Sequence, residues 1–113
     1  EWLVITPTGQ QTRVQSALRA ALDGIYSSVI DNSSGFTLLK ISGDNAGRLL
    51  ARDCPLDLHP RAFKPGECAQ TRLAKAGMTI APLRDASGFE VIIRRSFADY
   101  LLLWMQESSV EFE

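Results

Sequence analysis

The chain is short of the residues that most often carry chemistry. One histidine and two cysteines stand among 113 residues, too few thiols for a disulfide-built scaffold. Charge of one sign is missing too: 12 basic against 13 acidic residues leave a net charge of -1, and no basic run exceeds the pair Arg94-Arg95. Nucleic-acid binding needs a basic face, so that partner class is excluded. Long apolar runs are absent as well. The run Leu101-Leu102-Leu103-Trp104-Met105 falls far short of the roughly 20 residues that span a bilayer, which excludes a membrane-spanning helix. The opening Glu1-Trp2-Leu3-Val4-Ile5 has neither an initiator Met nor the basic, apolar and small-residue succession of a signal peptide. With nothing to indicate secretion, the chain is expected to be cytoplasmic, with reduced thiols.

What is present is a well-filled sequence, 45% hydrophobic. A chain of this size is expected to form one domain, 1–113, that buries roughly two-thirds of its unfolded surface. Its conspicuous feature is the stretch 54–71, which holds both cysteines, the histidine and three of the five prolines. Each proline removes a backbone donor and biases its predecessor away from helix. The stretch is therefore an ordered connector, and Leu56, Leu58, Ala62 and Phe63 make it too apolar to lie uncovered in water.

Alternation of residue types predicts short strands at 2–6 and 26–30, and β-rich runs at 36–41, 67–73, 78–83 and 89–94. Runs 26–30 and 36–41 are joined by Asp31-Asn32-Ser33-Ser34-Gly35, a turn-forming cluster, and read as a hairpin. A second hairpin turns at Asp85-Ala86-Ser87-Gly88. Val14, Ala17, Leu18, Ala21, Leu22 and Ile25 recur at helical spacing and predict an amphipathic helix over 8–23, stopped by Gly24. A second helix opens at 42–45, with Ala46, Leu49 and Leu50 inward, and ends near Cys54 before Pro55. A third opens at Ser96-Phe97-Ala98-Asp99, where Ser96 can accept from the Asp99 amide, and runs to about Ser108. In it Phe97, Tyr100, Leu101, Trp104 and Met105 share a stripe that excludes Leu102 and Leu103. Those two either fill a wider groove in the same domain or contact another protein. Residues 111–113 read as a frayed tail.

Few constellations could do chemistry. His59 suits proton transfer, but it stands alone. Cys54, Asp57, His59 and Cys68 are zinc-ligand types, yet their spacing matches no known cage, so no metal site is expected. A Cys-His nucleophilic pair lacks any catalytic signature. The favoured alternative is structural: His59 donates to a backbone carbonyl, Asp57 caps a turn, and the cysteines fill apolar space. The glycines of 42–47 lack both phosphate-loop patterns and read as a tight turn with a helix cap. Arg94 and Arg95 could grip a carboxylate or phosphate, but a strand end with solvated charges explains them.

Three motifs in order carry a family likeness: Cys-Pro-Leu-Asp-Leu-His-Pro-Arg-Ala-Phe at 54–63, Pro-Gly-Glu-Cys-Ala-Gln-Thr at 65–71 and Arg-Arg-Ser-Phe-Ala-Asp-Tyr at 94–100. With Glu1-Trp2-Leu3 and Ser42-Gly43, they make the chain resemble the gamma subunit of heterotetrameric sarcosine oxidase. Members of that family usually carry additional sequence before Glu1. The resemblance implies an α+β fold with a ferredoxin-like unit of the folate-binding aminomethyltransferase type, mostly antiparallel sheet with helices on one face. It implies a complex that oxidatively demethylates sarcosine to glycine, passes the one-carbon unit to tetrahydrofolate, and produces hydrogen peroxide. FAD, FMN, NAD, tetrahydrofolate and zinc would sit on other subunits, and the partners would be the alpha, beta and delta subunits. On that reading this chain is a structural partner with no catalytic, cofactor or metal residues of its own, and Asp57, His59, Arg61, Phe63, Arg94, Arg95, Tyr100, Leu102, Leu103 and Trp104 form its partner interface. The alternatives are a folate-binding or aminomethyl-transferring domain using Asp31 or Asp57, the gamma subunit of a related N-methyl amino acid oxidoreductase, and a stand-alone regulatory or small-ligand domain.

Overall fold

The computed structural model describes residues 1–112 and divides into two compact units, Glu1–Ser33 and Ser34–Glu113. In the first, helix α1 runs Gln11–Ala21. It starts three residues later than the predicted position 8, because Gly9 adopts φ +84, a left-handed conformation that cannot continue a helix. Gly24, at φ +80, follows its end as expected. The predicted strands at 2–6 and 26–30 do not form, and Trp2, Leu3, Val4, Ile5, Ile25, Tyr26 and Ile30 are exposed. A strand exists only where a neighbour completes its ladder, and a lone two-stranded pairing is marginal in water. The second run is instead held by side chains, since Gln15 and Arg19 both donate to the Val29 carbonyl, at 3.3 and 3.1 Å.

The second unit is built on strand β1 (Phe36–Ser42), helix α2 (Ala46–Ala51), strands β2 (Ala69–Leu73), β3 (Ala76–Pro82) and β4 (Gly88–Arg94), and helix α3 (Ala98–Ser109), with 3-10 turns at Arg95–Phe97 and Val110–Phe112. The four strands form one antiparallel sheet in the order β1-β4-β3-β2. The β3–β4 hairpin predicted from the Asp85 turn is present. The other predicted hairpin is replaced by a long-range pairing, in which β1 lies against β4 with Leu39 opposite Val91.

Alternation sets the core. Phe89, Val91 and Ile93 of β4, Met78 and Ile80 of β3, and Leu73 of β2 face one side, where Ala46 and Leu50 of α2 and Leu101 of α3 meet them in one buried cluster. Each such aliphatic side chain contributes about 1.5–3 kcal/mol by leaving water. The connector joins the same cluster through Cys54, Leu58 and Phe63, and Phe63 stacks on Phe89 at 6.4 Å between centroids. The cover that its apolar residues require is thus the chain's own sheet. Gly88 is obligatory where β4 begins: a Cβ there would collide with the Ile41 carbonyl and lie 2.6 Å from the Ser42 Cα.

Two local expectations fail in this unit. The Ser96 cap is not made, because the 3-10 turn Arg95–Phe97 takes Ser96 into itself and Phe97 becomes the α3 N-cap. Asp99 still occupies the first turn of α3, where a carboxylate suits the helix dipole. In place of the frayed tail expected over 111–113, a 3-10 turn forms at Val110–Phe112, and Glu113 lies outside the described residues.

Candidate interaction surfaces

In the connector, a chain of turn bonds engages the residues that looked reactive. The Asp57 carboxylate accepts from the His59 amide at 3.0 Å, and His59 Nδ1 accepts from the Arg61 amide at 3.1 Å. The imidazole therefore accepts a backbone hydrogen bond rather than donating one, the reverse of the expected role, because the turn aims the Arg61 N–H at it. The His59 carbonyl takes the amides of Ala62 and Phe63 at 2.8 and 2.9 Å, closing one helical turn. Glu67 then caps the next bend from the Lys64 amide at 2.8 Å. Both thiols are free. Cys54 is a buried filler as expected, whereas Cys68 is exposed at the approach to β2.

The interface candidates divide by burial. Phe63 lies in the core, 6% exposed, because its ring fills the space over Phe89; it shapes the connector from beneath and offers no surface. Trp104 is half-buried, and its indole Nε1 donates to the Asp53 carboxylate at 2.8 Å. Asp57, His59, Arg61, Arg94 and Arg95 are exposed. Tyr100 is partly exposed, meets Phe97 edge-on at 6.4 Å, and accepts the Lys75 amide at 3.4 Å. On α3, Leu101 is fully buried while Leu102 and Leu103 are 52% and 55% exposed. The wider-groove reading of these two leucines therefore fails within this chain, and the helix is apolar on both its core side and its outer side. Val110, just beyond the helix, is also exposed.

Asp53 is the residue that pattern reading overlooked. Besides holding Trp104, it accepts the Ala74 amide on its carbonyl at 3.0 Å, so one residue ties the end of α2 to the β2–β3 turn and to α3. Beside it, Arg52 reaches the Ser108 carbonyl and pairs with Glu111, a cation at the negative end of α3. Neither contact follows from hydrophobic periodicity, since both join positions more than twenty residues apart.

The carboxylates that a folate reading would use are engaged. Asp31 accepts the hydroxyl and the amide of Ser33, and these bonds hold its carboxyl below the usual carboxylate range. Asp57 is taken by the His59 amide, as above. Asp85 repeats the Asp31 arrangement with Ser87, whose hydroxyl and then amide likewise hold it below the usual range, helped slightly by Lys40. Two depressions open to solvent: one of about 390 Å³ beside Arg19, Asp23 and Ser27, and one of about 610 Å³ beside Lys40, Arg84 and Glu90. Among the described residues, no cluster of three His, Cys, Asp or Glu side chains could hold a metal ion, and no helix is long and apolar enough to cross a membrane.

The structure thus defines an α+β chain in which one four-stranded antiparallel sheet carries α2, α3 and the connector, with Asp57 and His59 engaged in turn bonds and, within the second unit, exposed apolar side chains on α3 and on β1. Comparison with known proteins narrows that class. The model of the sarcosine oxidase gamma subunit family matches residues 1–111, and the chain belongs to that family. Sarcosine oxidase subunit gamma of Arthrobacter sp is 34% identical over 112 residues, 99% of this chain and 54% of the relative. Its counterpart in Corynebacterium sp. (strain P-1) is 32% identical over the same length, with the same coverage. Among solved structures, a chain of heterotetrameric sarcosine oxidase from Corynebacterium sp. U-96, in complex with pyrrole 2-carboxylate, superposes with a TM-score of 0.83 at 27% identity, over 88% of this chain and 51% of that one. The chain spans about half the length of the relatives it matches.

Proposed function

We propose that the chain acts as a non-catalytic structural gamma subunit of a sarcosine-oxidase-type flavoprotein complex. That complex oxidatively demethylates sarcosine to glycine, coupled to tetrahydrofolate, and produces hydrogen peroxide. The observation that carries the reading is α3, a helix of a family member whose Leu101 is in the core while Leu102 and Leu103 face outward. A helix with one apolar side is finished by its own domain; one with two needs a neighbour. Arg94, Arg95, Tyr100, Leu102 and Leu103 come from one continuous run, and with Asp57, His59 and Arg61 they form the proposed contact surface toward the alpha, beta and delta subunits. Phe63 and Trp104 support it from within.

On this reading FAD, FMN, NAD and tetrahydrofolate belong to the other subunits, the complex is cytoplasmic, and residues 1–113 serve as one domain, consistent with a family match that runs through both compact units. The relationship to the folate-binding aminomethyltransferase fold is part of the same proposal. The strand-helix-strand-strand start of the second unit supports it, although β2, β3 and β4 run consecutively before the last helix, whereas a ferredoxin-like unit places its second helix between strands. The subunit of a related N-methyl amino acid oxidoreductase would present the same surface.

Calorimetry with tetrahydrofolate separates the structural role from a folate-binding one. The structural subunit gives no binding heat and no turnover alone, yet it is required for a stable, fully active flavoprotein assembly. Saturable heat, or full activity and unchanged stability of the assembly without this chain, contradicts the proposal.

A further inference from the structure

The two edges of the sheet are unequal. At the ends of the β1–β4 ladder the Arg95 amide donates to the Gly35 carbonyl at 2.9 Å and the Gly43 amide to the Ser87 carbonyl at 3.0 Å. Between them Thr37, Leu39 and Ile41 face Ile93, Val91 and Phe89. Antiparallel alternation therefore turns the N–H and C=O of the odd-numbered residues toward β4, and those of Phe36, Leu38, Lys40 and Ser42 the opposite way. β1 is the last strand of the sheet on that side, so four consecutive outward positions face no strand. The β2 edge is shorter. Its pairing with β3 closes at Leu73 opposite Ala76, which leaves only Gln70 and Arg72 turned outward. The adjoining turn is tied down through the Ala74 amide to Asp53.

Proteins guard long edges with prolines, bulges or several charges. β1 has an unbroken seven-pair register, no proline, and Lys40 as its single charge. Beside that edge Phe36 and Leu38 are 38% and 46% exposed, and Leu38 adjoins Ile92 across the ladder. Arg94 lies opposite Phe36, so a cation stands at that end of the edge, whereas Lys40 is faced by the carboxylates of Glu90, opposite it, and Asp85.

We infer that the free edge of β1 accepts an extended segment of another subunit of the complex as a fifth strand. This deepens the gamma-subunit reading and rests on it. The incoming strand takes hydrogen bonds at Phe36, Leu38, Lys40 and Ser42, sets apolar side chains beside Phe36 and Leu38, and places an acidic residue beside Arg94.

Amide hydrogen exchange of the chain alone and of the chain co-expressed with the alpha, beta and delta subunits tests this position by position. Thr37, Leu39 and Ile41 exchange slowly in both states. Phe36, Leu38, Lys40 and Ser42 exchange freely in the isolated chain and slow by about 100-fold or more in the assembly. Free exchange of these four in an assembled complex overturns the inference and leaves the gamma-subunit reading standing. Protection already present in the isolated chain, with the mass of a dimer, assigns the edge to a second copy and also overturns it. Failure of the chain to join the complex at all refutes the gamma-subunit reading, and the inference with it. Leu38→Pro supplies an independent check, because that amide points away from β4 and its removal spares the internal ladder. It should weaken incorporation into the complex at least about tenfold with little change in the unfolding midpoint of the isolated chain; unchanged incorporation contradicts the proposal.

Discussion

Residues 2–6 and residues 89–93 are both short, β-branched, apolar runs, and they end in opposite circumstances. Val91 and Ile93 are buried between two partner strands, whereas Val4 and Ile5 are more than half exposed and belong to no sheet. The difference lies in what flanks them. Gly88 and the Asp85 turn bring β3 back against β4, and β1 closes its other side, so every pleat position gains a neighbour. Nothing within residues 1–33 offers residues 2–6 such a ladder. Strand propensity is fit to a half-buried pleated surface, and without that surface it has nothing to express.

The comparison can be broken from its strong side. Ile93→Ala should cost about 2–5 kcal/mol in denaturant unfolding, since it leaves a cavity in a layer with no solvent access. Ile5→Ala should stay within about 0.5 kcal/mol in the same measurement. Equal effects would mean that residues 2–6 are packed after all. Next in size, Gly88→Ala should destabilise by about 1–3 kcal/mol, because the added methyl meets the β1 backbone. Gly77→Ala, which meets nothing within 4 Å, is the matched control and should be near neutral or slightly stabilising. A smaller gain is expected from Ala86→Gly. Ala86 holds φ +60 in the turn that organises β4, and glycine relieves that conformation, for a net stabilisation of up to about 1 kcal/mol.

The least effect is a pH dependence. Asp85 and Asp31 are bonded by Ser87 and Ser33 in the folded chain, which lowers their proton affinity relative to the unfolded chain. A lowered carboxyl contributes stability above the unfolded value of about 3.9, and loses it as pH falls through the lower folded value. Both turns should therefore be indifferent to pH between neutrality and about 5, and loosen only in stronger acid. Carbon-13 titration of the two carboxyls checks this; midpoints above the usual aspartate value would contradict the turn bonding.

Local chemistry made much of the second unit legible: the Asp85 turn and its hairpin, the helix with Ala46 and Leu50 inward, the ordered connector and the last helix all follow from neighbours in sequence. The β1–β4 partnership was not legible, because more than forty residues separate Leu39 from Val91 and the turn cluster at 31–35 advertised a nearer partner for β1. Asp53 was hidden for the same reason, its contacts being fixed only when α2, the β2–β3 turn and α3 converge. Among the surface candidates, helical spacing placed Leu102 and Leu103 off the packed stripe, and the fold leaves them exposed. The apolar character of Phe63 could not distinguish surface from core, and its ring proved to be core. The family likeness was legible in three motifs: 54–63 and 65–68 lie in the connector, 69–71 enter β2, and 94–100 run from the end of β4 into α3.

The most direct test of the docking role is co-purification of the full chain with the alpha, beta and delta subunits, comparing the wild type with the Leu102→Asp, Leu103→Asp double variant. Both leucines are surface residues here, so the double variant should keep its own unfolding free energy within about 1 kcal/mol of wild type. The account predicts stoichiometric recovery of the wild-type chain in the complex and loss of the double variant from it. Full recovery of the double variant, with unchanged assembly and activity, would contradict it.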